Sequence, residues 1–272
     1  MRRFLIALLL FPAVLSCKSD TIKVMSYNVR TSVKDDGVNS WSERCTATPE
    51  MLRKVRPDVF GVQEASEEQE SYILEHCPAY AAYGVGRDDG ASVGERMTVF
   101  YNTRRLALEE SGTWWLSETP DVPSVGWDAK YPRTATWALL KDRRSGRRFC
   151  FVNTHLDHRG AAARRNGLAM VVEKVRGMDP DLPLVLVGDF NVEPGDSCLV
   201  DLDRVMLSAR ATAAETVDTP SFNGFNPMPS KTIDYIYYSG FAAADKFSVV
   251  SESFDGKPFI SDHYPIVSVL RY

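Results

Sequence analysis

A chain of 272 residues with 44% apolar and 11% aromatic side chains can bury a sizeable core, which excludes a disordered protein. Its formal net charge of −4 excludes a strong overall positive field, so any contact with a polyanion must be local. No linker, low-complexity tract or short repeat interrupts the sequence, and one domain is expected over residues 21–272.

The N-terminus reads as a targeting segment. Arg2-Arg3 precede an apolar run from Phe4 to Leu15, too short for a comfortable membrane span, and Ser16-Cys17 follow. A cysteine directly after a small residue at the end of such a run resembles a bacterial lipobox. Residues 1–17 are therefore expected to be a signal, with Cys17 the lipidated mature N-terminus. The protein would be exported and held to the membrane through that lipid alone, or else secreted, and is expected to be a monomer. The remaining cysteines, Cys45, Cys77, Cys150 and Cys198, are widely spaced with no C-x-x-C pair, so neither zinc nor a redox motif is suggested. Export permits one disulfide but the spacing pairs none of them, and Cys150, in an apolar run, reads as a core residue.

Thr21 to Val29 alternates well enough for a strand, with Asn28 near its end. Trp41 to Val55 carries helical spacing and Pro57-Asp58 marks its stop. Val59 to Glu64 is a short buried strand ending in a carboxylate; Ser66 with Glu67-Glu68 then starts a helix running to about His76. Arg96 to Asn102 is strand-like, with Glu95 before it. Trp114 to Pro132, rich in Pro, Gly and Trp, reads as a long irregular loop over a site. Thr134–Leu140 and Arg148–Leu156 form a hairpin, and Ala161 to Arg176 is helical. Leu184-Val-Leu-Val-Gly-Asp189 is a strand buried on both faces. Ile233–Tyr238 and Ile266–Leu270 are the last strands. Strands outnumber helices while helices intervene between several, which points to two packed sheets with helices outside.

Polar residues recur where strands end: Asn28, Glu64, Asn153 with His155, Asp189 with Asn191, Asp234, and Asp262-His263 before the final strand. Each alone is an ordinary loop residue; their recurrence in a chain with four histidines is not. Asn, Glu and Asp offer hard oxygen ligands suited to magnesium or manganese, and histidines near carboxylates suit acid–base work. Together they fit hydrolysis of a phosphate ester.

The motifs Ser-Tyr-Asn28-Val, Val-Gln-Glu64, Asn153-Thr-His-Leu-Asp, Gly188-Asp-Phe-Asn, Ile233-Asp-Tyr-Ile and Ser261-Asp-His-Tyr-Pro stand in an order that resembles the endonuclease/exonuclease/phosphatase superfamily, from about Ile22 to the C-terminus. The resemblance implies a four-layer α/β/β/α sandwich of two mixed sheets, as in deoxyribonuclease I. It implies Glu64 as the main ligand of Mg2+ or Mn2+, with Asn28 and Asp262 at the same ion. It implies His263 as the catalytic histidine polarised by Asp234, Asp189 as the carboxylate on the attacking water or leaving oxygen, and Asn191 on the scissile phosphate. His155 resembles a second histidine paired with a glutamate, for which Glu95 stands in place. Asn153 and Arg133 are expected to bind phosphate, and the alternative for Arg133 is a surface pair with Asp128.

Nucleotide, nucleic acid, phospholipid headgroup and sugar phosphate all remain candidate substrates. The Trp-Cys-Asp-Arg motif of inositol polyphosphate phosphatases is missing, and an exported acidic chain fits the lesion-repairing endonucleases poorly. The segment from Trp115 through Pro132-Arg133 resembles an exported bacterial branch. Two apparent pairs, Glu95–His155 and Asp234–His263, favour a phosphodiesterase over a phosphomonoesterase or a sphingomyelinase-like enzyme. An inactive binding module of the same fold would lack one of these groups. Trp114-Trp115 would serve either loop packing or stacking on a ligand.

Overall fold

A computed structural model describes residues 21–179 and 181–272; the expected signal and lipobox lie outside the described residues. The strands are β1 Thr21–Asn28, β2 Val59–Ala65, β3 Tyr80–Tyr83, β4 Arg96–Asn102, β5 Leu106–Trp115, β6 Thr134–Asp142, β7 Arg148–His155, β8 Leu184–Asp189, β9 Leu207–Ser208, β10 Asp234–Ser239, β11 Ala243–Val249 and β12 Ile266–Arg271. They form two six-stranded sheets in the orders β11-β12-β1-β2-β4-β3 and β5-β6-β7-β8-β10-β9. One parallel pair lies inside each sheet, β1 with β2 and β7 with β8, among antiparallel neighbours. Helices cover the outer faces, so the sandwich of two mixed sheets expected from the sequence is the fold.

Side-chain alternation builds the layers. Ile22 and Val24 of β1, Phe149 and Phe151 of β7, Val185 and Val187 of β8 and Ile236 and Tyr238 of β10 point between the sheets into one core. Met25 and Tyr27 of β1 and Phe60 and Val62 of β2 point outward, against the helices Trp41–Arg44, Ala47–Val55 and Glu67–His76. Cys150 and Val152, Leu184 and Leu186, and Tyr235 and Tyr237 do the same on the other sheet, under the helix Ala161–Arg176. Burial of this much apolar surface, at about 25 cal/mol per Å2, is what holds the two sheets together.

The helix expected over Trp41–Val55 is two, Trp41–Arg44 and Ala47–Val55. Pro49 has no N–H to reach back one turn, so the second helix starts afresh with Pro49 in its first turn, where that donor is not needed. The helix at Glu67 begins as expected: Ser66 Oγ accepts from Gln69 N, while Gln69 Oε1 accepts from Ser66 N. The loop expected from Trp114 starts later, because β5 runs through Trp115. Trp114 stacks on Trp137, and buried Trp115 donates its Nε1–H to Arg87 O at 2.7 Å, so both tryptophans pack within the protein. Cys45, Cys77, Cys150 and Cys198 are free thiols, with Cys150 in the core.

Candidate active site

The parity that fills the core also selects the site. Asn28 continues the inward face of Ile22 and Val24; His155 continues that of Phe149 and Phe151; Asp189 follows Val185 and Val187; Asp234 precedes Ile236 on the same face. Because both parallel pairs run the same way, these four residues emerge at one end of the sandwich. β10 runs against β8, so its first residue, Asp234, lies opposite Asp189. The segment Ser261-Asp262-His263 reaches the same end just before β12.

Glu64 breaks this parity. Simple alternation would send it outward with Val62, but β2 slips register between Val62 and Ala65, and Glu64 takes φ 61. Such a bulge re-aims one side chain, at a strain of about 1–3 kcal/mol for a residue other than glycine. The Glu64 carboxylate accepts from Asn28 Nδ2 at 3.1 Å and from Thr31 N at 3.3 Å.

Asp189 is the hub. Its Oδ2 accepts from Asn28 Nδ2 at 3.1 Å and stands 3.4 Å from His155 Nε2 and 3.7 Å from His263 Nε2. Gly188 before it is required by close approach: a Cβ there would lie 2.0 Å from Thr154 O. Burial, helped by Asp234 and Glu64, pushes the Asp189 carboxyl up to about 7. His263 donates Nδ1–H to Asp234 Oδ2 at 2.8 Å, and Phe222 packs against its ring. Burial works against the charged ring, but the carboxylates of Asp234 and Asp189 reverse this and hold His263 up to about 10.

His155 is the opposite case. Burial, then Arg133 and Arg87, hold it well below the usual histidine value. Its Nε2 accepts from Asn191 Nδ2 at 2.9 Å, and its Nδ1 is buried with no partner. The expected Glu95–His155 pair is not formed. Glu95 binds the Arg87 guanidinium instead, because a buried carboxylate beside Glu64 gains more from that cation than from a neutral imidazole.

Two other expectations change. Asn153 does not face the cleft: its Nδ2 donates to Val62 O at 2.8 Å and Thr98 O at 3.0 Å, and its Oδ1 accepts from Gln63 Nε2 at 2.6 Å. It is fully buried and ties the two sheets together where the backbone polar groups of β2 and β4 need partners. Asn191, at φ 54, reaches the cleft, but its Nδ2 is held by His155 and by Leu156 O at 3.0 Å. Arg133 is no surface residue paired with Asp128. It is 5% exposed, its Nε donates to Asp157 Oδ2 at 3.2 Å and its Nη2 lies 2.9 Å from His158 Nδ1. Asp128 instead accepts from Ala162 N and Ala163 N at the start of the Ala161–Arg176 helix. The remaining Arg133 Nη1 is buried without a partner, and Arg133 is one of the residues lining the cleft.

The cleft has a volume of about 620 Å3 and is lined by the carboxylates of Glu64, Glu95, Asp189 and Asp262, by buried Arg133 and by the exposed Lys34, Lys130 and Lys231. Burial first, then Glu64, raises the Asp262 carboxyl, and His263 and then Arg30, whose Nη1 lies 3.6 Å away, offset this in part. Glu64, His155 and Asp189 each offer a ligand atom within 4.8 Å of the others, as do Asp189, Asp234 and His263. Close, buried carboxylates with a neighbouring amide are a donor set that fits a hard divalent cation.

Arg30, Arg87 and Phe222 belong to this site and were missed in the sequence. Arg30 is held bidentately by Asp36, with Nε and Nη2 each 2.9 Å from a carboxylate oxygen. No strand end or motif marks Arg87; Phe222, beside a turn at Asn223-Gly224, carries a weak signal at best.

The profile of the Endonuclease/Exonuclease/phosphatase family matches residues 25–263. The mannosyl-6-phosphatase of Bacteroides thetaiotaomicron is 33% identical and superposes with a TM-score of 0.87, over 92% of this chain and 100% of that one. The endonuclease/exonuclease/phosphatase of Bacteroides vulgatus is 32% identical with a TM-score of 0.88, over 92% and 98%. The human Nocturnin catalytic domain with bound sulfate shares the fold at 21% identity and a TM-score of 0.70, over 92% and 93%.

Proposed function

Because the chain belongs to the endonuclease/exonuclease/phosphatase family, whose phosphatase and nuclease members make it a phosphoric ester hydrolase, we propose that it removes the phosphate from a small phosphorylated sugar. The observation that carries this reading is Arg133, a buried guanidinium in the wall of a compact cleft that exposed lysines also line, with one of its nitrogens, Nη1, left without a partner. A dianionic monoester gains more from that arrangement than a singly charged diester does. A cleft of about 620 Å3 accommodates a sugar phosphate. The 33% identity to a mannosyl-6-phosphatase supports the same substrate class. The preference for a diester rested on two histidine–carboxylate pairs, and Glu95 is paired with Arg87 instead.

Glu64, Asn28 and Asp262 would hold Mg2+ or Mn2+, which supplies neutralising charge to the phosphoryl oxygens when bound. Arg133, in the cleft wall with Nη1 unpartnered, is the cation placed to hold the phosphate. Asp189, poised near neutrality, takes a proton from the attacking water as its oxygen bonds to phosphorus. The ester P–O bond breaks, and His263, charged and fixed by Asp234, gives its proton to the departing sugar oxygen. His155 stays neutral and holds the Asn191 amide, and Asn191 in turn orients Asp189 by donating its backbone N–H to Oδ1 at 2.9 Å. The products are the sugar alcohol group and inorganic phosphate. We read residues 1–17 as an export signal that leaves Cys17 lipidated, so the reaction takes place outside the cytoplasm.

Phosphate release by residues 18–272 tests the reaction, with hexose 6-phosphates, bis-p-nitrophenyl phosphate and plasmid DNA offered in parallel, with Mg2+, Mn2+ or EDTA. The expected result is metal-dependent release from a hexose phosphate, with the diesters far slower. Preferential cleavage of a diester or of DNA would overturn the monoester reading.

A further inference from the structure

The pole opposite the cleft carries a feature that the hydrolase reading leaves unused. The seven steps of β1 from Thr21 to Asn28 separate them by about 23 Å at ~3.3 Å per residue, so the chain enters the fold at the far end from the site. Arg105 marks that entry: its Nη2 donates to Thr21 O at 2.9 Å and to Asp142 Oδ2 at 2.7 Å. Asp142 ends β6 and begins the turn into β7. Arg143 straps that turn in place, its N donating to Arg105 O at 2.9 Å and its Nε to Thr103 O at 3.1 Å and Leu106 O at 3.2 Å. The β6–β7 turn is thereby fixed beside the point where residue 21 enters.

That turn reads Lys141-Asp-Arg-Arg-Ser-Gly-Arg-Arg148, and all five cations are exposed. Its single acid, Asp142, is fully buried and engaged by Arg105. Other acids near this pole are engaged as well: Glu109 by Arg148, Asp245 by Arg271, and Asp58 by Lys23 N. The turn closes through backbone bonds, Asp142 N to Arg147 O and Gly146 N to Asp142 O, so its closure does not depend on the exposed Lys141 and Arg144 charges. Five exposed cations in eight positions stand out on a chain whose net charge is −4.

We infer that this pole docks on an anionic phospholipid surface. The placement relies on the reading of Cys17 as the lipidated terminus. Cys17 precedes Thr21 by four positions, a reach of at most about 14 Å, so an anchored chain brings this pole, not the cleft, to the membrane. Each basic side chain near an anionic bilayer adds to attraction within a Debye length. The lipid sets the distance and the basic turn sets the orientation, leaving the cleft open to the aqueous side for a soluble substrate.

The test uses the unlipidated chain, residues 18–272, and its Lys141→Glu/Arg144→Glu variant, which leaves the Arg143 strap in place. Each is sedimented with phosphatidylcholine vesicles with and without phosphatidylglycerol, at about 50 mM and about 500 mM salt. The expected result is retention on phosphatidylglycerol vesicles at low salt, lost at high salt and weakened more than about tenfold in the variant, whose hydrolase rate stays unchanged. No retention at low salt, or equal retention of the variant, would overturn the proposal. Tighter binding of a short DNA duplex than of the vesicles at the same salt would overturn it in favour of nucleic acid. The mass of the mature protein tests the anchor separately: an unmodified Cys17 removes the anchor while the vesicle result stands on its own.

Discussion

His263 and His155 stand on either side of Asp189, with Nε2 atoms 3.7 and 3.4 Å from Oδ2, in equally buried surroundings. His263 has a carboxylate on Nδ1 and is held up to about 10, whereas His155 has nothing on Nδ1, faces Arg133 and Arg87, and is held well below 6.5. Burial opposes charge on both rings, so the partner on Nδ1 decides which one carries a proton. A single carboxylate between a charged and a neutral imidazole gives the site a direction for proton movement that sequence order alone does not reveal.

The strongest way to break this contrast is to remove the charged side. His263→Ala and Asp234→Asn should each lower kcat on the order of a thousandfold while the thermal midpoint stays near that of the parent. A stable His263→Ala enzyme with near-parent turnover on every cleavable substrate would sink the assignment. Glu64→Gln keeps the bulge and the size but removes a charge from the cleft. The metal concentration giving half-maximal rate should rise at least about tenfold, and calorimetric binding of Mn2+ should weaken in step. On the neutral side, His155→Gln should cost less, about tenfold in rate, because the lost group positions Asn191 beside Asp189 without exchanging protons. Glu95→Gln sharpens the comparison further: it should leave the titration of His263 unmoved. The smallest effect concerns Asp157 behind Arg133. Burial would raise its carboxyl, but the N–H groups of Gly160 and Arg159 and the Arg133 cation bring it down to about 2. Its stabilising contribution is complete above the unfolded value near 4 and is lost as pH falls from there toward 2. Asp157→Asn should therefore flatten stability against pH over that acid window, measured by urea unfolding.

Much of this was legible in the sequence because two simple periods were at work. Asn28, His155, Asp189 and Asp234 stand out in the sequence as polar residues at the ends of apolar strand segments, and the fold brings those ends together. The helix Ala161–Arg176 has its expected bounds. What was not legible depends on contacts between distant segments. Glu64 reaches the cleft through a bulge that alternation cannot show. Asn153 has the parity of a site residue, yet it is consumed one position too deep, by carbonyls of β2 and β4. Glu95 precedes a strand as a histidine partner would, and only the fold brings Arg87 to it. β5 is not legible as a strand, and its Trp end was assigned to the loop, because its half-exposed residues and a register shift blur the alternation.

The most direct test of the central claim is an NMR titration of the imidazole nitrogens in metal-free protein. The chain has four histidines, so His155→Gln and His263→Gln variants assign the two signals in question. The account predicts that the His263 ring stays protonated on both nitrogens through neutral pH, deprotonating toward about 10, while His155 stays neutral with its proton on Nδ1. A His155 ring that is charged at pH 7, or a His263 ring that is neutral there, would contradict it.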